Sequence, residues 1–170
     1  MKINNLIDKT LAIYLVLSSS VSLLFLTVFV IGNKLTVIFL MPILISLILM
    51  LAIIYYNSRI LFSYSISKQR ALINSCAGLL QLPFLYMDGF QFKYNQGIQF
   101  IVYGKMFNGT SDFRLGFEFE KFSYLINIQF WERTYTNVGI DLLALGIFIF
   151  YLYQYNKLKN HSSQTLPHLQ

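Results

Sequence analysis

The chain has 170 residues, of which 56% are hydrophobic and only 12% charged, and its net charge is +6. Globular domains carry about 25% charged residues, so this composition leaves too little polar surface to cover a water-exposed fold without large apolar patches. The basic balance does not point to nucleic acid, because Lys and Arg flank apolar runs instead of interleaving with base-stacking aromatics.

Residues 11–31 form the first apolar run, uncharged and as long as the roughly 20 helical residues that cross a bilayer core. Lys2 and Lys9 precede it, as in a signal peptide, but the run is longer than a usual signal core and no A-x-A cleavage site follows. It is read as a retained helix. Gly32, Asn33 and Lys34 break the chain before a second uncharged run over residues 35–56, which contains Pro42 and closes on the interfacial pair Tyr55 and Tyr56. Together with the basic loop, these runs define an N-terminal helical hairpin over residues 1–70.

Residues 71–87 are uncharged but interrupted by Asn74, Gln81 and Pro83. The charge pattern makes this run a third span. Arg59, Lys68 and Arg70 precede it, and Lys157 and Lys159 follow the last run. The positive-inside rule places both groups on the cytoplasmic side with Lys2 and Lys9, so an even number of crossings separates them. The last span covers residues 137–156, with Trp131 and Tyr135 before it and Tyr151, Tyr153 and Tyr155 at its end. Residues 157–170 form a basic and then polar cytoplasmic tail.

Between the last two spans, residues 88–136 change to alternation. Phe90, Phe92 and Tyr94 alternate with polar residues, Gln96-Gly97 marks a turn, and Ile98, Phe100 and Val102 follow at period two. Asn108-Gly109 is a hairpin signal. Leu115, Phe117 and Phe119, then Tyr124, Ile126, Ile128 and Phe130, continue the pattern. This predicts an extracytoplasmic antiparallel meander with one aromatic face. Five cations and five acids balance in this segment. The expected fold class is therefore membrane α-helical, with about four transmembrane helices (three as the alternative) and a small β meander between the last two. Its expected place is a bacterial inner membrane, with both termini cytoplasmic.

No catalytic constellation is visible, and no cofactor or metal is expected. The two histidines, His161 and His168, lie in the tail, and no phosphate-cradling glycine loop is present. Glu118 and Glu120 read as a solvated strand face, and Cys76 as a small packing residue. Asp141, the one acid inside an expected span, is either a helix-start acid favoured by the helix dipole or a partner for Lys34 or another cation. Small-residue pairs at helical spacing, such as Ser18 with Ser22 and Asn74 with Gly78, mark packing faces, as do Gly139 and Gly146.

The expected function is non-enzymatic. The chain reads as a polytopic integral membrane protein acting through protein binding, either as an accessory or assembly subunit of a membrane complex or as a bacteriocin-immunity-type protein. Small size, basic balance and lack of catalytic groups are similar to those of small bacteriocin immunity proteins, a likeness of type carried by no motif. The alternative is a small oligomeric transporter or channel. Expected partners are the lipid bilayer and a protein, or a second copy, in the membrane. The interaction face is Phe92, Phe100, Phe117 and Ile128, whose aromatic side needs a cover from outside the sheet.

Overall fold

The computed structural model describes residues 2–32, 37–62, 67–87, 90–107, 113–129 and 135–164. Four helices and four strands follow in the order α1 Lys2–Gly32, α2 Val37–Phe62, α3 Lys68–Gln81, β1 Pro83–Met87, β2 Phe90–Phe107, β3 Phe113–Gln129, β4 Tyr135–Asp141 and α4 Leu142–Gln164. The strands make one antiparallel sheet in the order β1-β4-β2-β3, and β1 also pairs with the start of β2. This double pairing follows from a bend. At Gly97, φ is +100° and the β2–β3 register slips, so β2 meets β1 before the bend and β4 after it.

Expectation and structure part at the third and fourth apolar runs, and the membrane α-helical class with four or three spans is corrected to α+β. The run over residues 71–87 divides into a 14-residue helix and a strand. A helix of that length rises about 21 Å, well short of a hydrocarbon core of about 30 Å. Pro83 explains the division: its ring and missing N–H end a helix but suit the first residue of a strand. The expected last span over residues 137–156 divides at Asp141, with Tyr135–Asp141 extended and α4 starting at Leu142. Apolar content is common to spans, buried helices and sheet strands, so hydropathy alone did not separate them.

Among the described residues, one helix is long and apolar enough to cross a membrane: α1, over Asn5–Val28, near the N-terminus, as in a membrane span or a signal sequence. In α2, the apolar stretch found among the described side chains is Ile43–Arg59. The helical architecture of four or three spans expected from the sequence is therefore replaced by an α+β fold with one candidate span among the described residues.

The meander is also rearranged. Gln96-Gly97 is a bulge within one long strand and not a turn. Asn108-Gly109 lies outside the described residues, but Met106 pairs with Phe113 across that gap. The remaining two strands are β1, and β4 from residue 137 onward, which come from segments expected to be helical.

The helices share one core: Leu15 of α1, Ile53 of α2, Ala71 and Ala77 of α3, and Ile147 and Tyr151 of α4. Helices α3 and α4 approach backbone to backbone, since a Cβ on Gly78 would lie 2.8 Å from the Phe148 nitrogen. Gly146 faces open space, and Gly139 sits in β4 beneath Tyr103.

Candidate functional site

Register defines the outer face of the sheet. Phe100 opposes Phe119, Val102 opposes Phe117 and Ile140, Gly104 opposes Leu115 and Val138, and Met106 opposes Phe113. Residues opposite one another in an antiparallel pair point to the same side, so these side chains form one apolar surface across β3, β2 and β4. It is bare: Phe117 and Leu115 are each 70% exposed, and Phe119 is 65% exposed. The opposite face holds Ile101 and Asp141, both buried. Of the four residues expected to form the interaction face, Phe100 and Phe117 lie on this surface. The side chains of Phe92 and Ile128 lie outside the described residues, although their backbones pair directly.

Asp141 joins three elements. Its Oδ1 accepts N–H groups from Leu143 at 2.9 Å and Ala144 at 3.4 Å, which makes it the N-cap of α4. The same oxygen accepts the Phe100 N–H at 3.3 Å, and the Asp141 N–H donates to the Leu82 carbonyl at 3.0 Å. Burial raises the Asp141 carboxyl above its usual range, and the amide donors only partly oppose that shift. Lys34, its expected ion-pair partner, lies outside the described residues.

The helical bundle holds a second polar group. Arg70 donates through Nη2 to both oxygens of Asp8, at 2.6 and 2.5 Å, with both side chains fully enclosed. Asn57 and Asn74 exchange two amide bonds of 2.8 Å. The Tyr151 ring lies 5.9 Å from the Arg70 guanidinium. Desolvation, reinforced by the Asp8 charge, pushes its hydroxyl well above the normal range.

Where β2 bends, Ile98 falls between the paired residues of β2 and β3. The Tyr14 hydroxyl satisfies both of its backbone groups, accepting from the N–H at 3.1 Å and donating to the carbonyl at 3.3 Å. Gln96 donates to Ser19, and Lys93 pairs with Glu120.

Sequence reasoning singled out Asn74 and Ser18 but missed the Asp8–Arg70 and Asn57–Asn74 pairs. The available signal was a polar residue on the inward side of an otherwise apolar helix. Cys76 is exposed. No group of His, Cys, Asp and Glu suited to a metal occurs among the described residues.

Comparison with protein-family models, with characterised proteins and with solved structures gives no significant match.

Proposed function

We propose that this chain is a non-enzymatic interaction protein, held at a membrane by α1 and docking a protein partner through the outer face of its sheet. It would serve as an accessory or assembly subunit of a membrane complex, with a bacteriocin-immunity-type role as a special case. The supporting observation is the bare apolar face of Phe100, Phe113, Leu115, Phe117 and Phe119. Each large apolar side chain left in water forgoes about 1.5–3 kcal/mol, and contiguous exposed patches of this kind mark interaction sites.

The surface of α1 supports the membrane attachment. Leu6, Leu17, Leu24, Phe25 and Val28 point outward, while Asp8, Ser18, Ser19 and Ser22 are buried. Such a helix is the inverse of one that meets water on its outer side. We assign the membrane to a bacterial inner membrane, with the Lys2 and Lys9 end of α1 cytoplasmic. Inside the bundle Asp8 pairs with Arg70 and Asn57 with Asn74, which favours docking over conduction of a solute.

Purification of the full chain in mild detergent tests the proposal. Phe117→Asp changes an exposed side chain, so the variant is expected to accumulate normally and lose its co-purifying protein. A variant that keeps every partner would contradict the proposed docking face.

A further inference from the structure

A second surface lies at the far end of the bundle from the sheet. The Asp8–Arg70 pair joins the start of α1 to the start of α3, and Asn57–Asn74 joins the end of α2 to α3. Lys68 stands over the Tyr155 ring at 5.5 Å, which brings in the end of α4. These contacts gather Lys9, Arg59, Lys68, Lys157 and Lys159, all exposed, around one end of the bundle.

Asp8 is the sole Asp or Glu in the four helices, and it is buried against Arg70. Apolar and aromatic side chains border the cations: Leu6, Leu72 and Leu152 are exposed, and Arg59 lies 4.9 Å from the Tyr55 ring centre. Cations with aromatic rings above an apolar belt match the polar–apolar boundary of a bilayer, where long basic side chains reach the headgroups.

We propose that this basic collar binds the headgroups of anionic phospholipids. A water-facing protein partner would leave the adjoining apolar belt uncovered, whereas lipid supplies both the negative headgroup and the acyl chain. The proposal concerns a different surface from the sheet face and does not depend on it. Each Lys or Arg near an anionic lipid surface contributes about fivefold in affinity at low salt.

The full chain in a neutral detergent, titrated with phosphatidylglycerol or with phosphatidylcholine, tests this directly. Native mass spectrometry counts the retained lipid. Preferential retention of phosphatidylglycerol is expected, weakening as salt is added. The triple variant Lys68→Gln, Lys157→Gln, Lys159→Gln is expected to lose that preference by on the order of a hundredfold. It leaves Asp8 and Arg70 in place, so its circular dichroism should match the parent chain. Equal retention of the two lipids, or an unchanged preference in the correctly folded variant, would overturn the proposal. Displacement of phosphatidylglycerol by an oligothymidylate would also overturn it, and would assign the collar to nucleic acid.

Discussion

The Asp8–Arg70 pair has large consequences for stability because neither charge reaches solvent. Removing one partner from a buried pair costs about 3–5 kcal/mol, whereas replacing both with apolar groups is often neutral or better. Asp8→Asn should therefore sharply lower the thermal midpoint in detergent, and Asp8→Leu combined with Arg70→Met should recover most of the loss. A double variant no more stable than Asp8→Asn would show that the site requires charge. Asp141 sets a pH dependence of the opposite kind from a salt-bridged acid. Burial raises its folded-state pKa above the unfolded value, so the folded chain binds this proton more tightly. Its contribution is greatest below the ordinary carboxylate range and declines as pH rises through the raised folded value. In Asp141→Asn the amide oxygen can still cap α4, and the decline should vanish. Denaturant titrations from acid to neutral pH measure the difference, and parallel slopes for the two proteins would refute this assignment.

Among the elements, the junctions decide the architecture. Leu82 and Asp141 are hydrogen-bonded where α3 passes into β1 and β4 passes into α4, so two helix–strand units stand side by side. Val102 and Ile140 are Cα partners, and residues opposed in this way lie about 4.5–5.5 Å apart, within reach of a disulfide. In a Cys76→Ser background, Val102→Cys with Ile140→Cys should bridge on mild oxidation. Failure to bridge in the folded chain would remove β4 from the sheet. The alternation over Leu115, Phe117 and Phe119 was legible because one face is uniformly apolar and the other polar. The pairing of β2 with β3 could be anticipated for the same reason. Residues 83–87 and 135–141 were not legible as strands, since a short apolar stretch beside a longer apolar helix has no period of its own. Pro83 and Gly139 were the available marks, and the balance of basic residues outweighed them. That balance instead reflects a collar at one end of a bundle, a shape that segregates charge without requiring four crossings.

For the whole molecule, polarity is distributed inside out. The Asp8–Arg70 ion pair and the Asn57–Asn74 amides are enclosed between helices, while α1, α2 and the outer face of the sheet present Leu, Ile, Met and Phe. Such a surface is stable when lipid or another protein covers it. The apolar outer side of α1 suits lipid, and the basic collar suits the headgroups at the boundary. The sheet face differs in kind, because a sheet edge within lipid would leave backbone groups without partners. A protein cover can satisfy an exposed edge as well as the apolar face, which makes this face the centre of the functional account. Photo-crosslinking in native membranes tests it most directly, with a photoreactive residue placed in turn at positions 115, 116, 117, 118 and 119. A discrete protein adduct is expected from 115, 117 and 119, with little or none from 116 and 118, which point to the opposite face. Adducts to lipid alone, or equal protein adducts from both sets of positions, would contradict it.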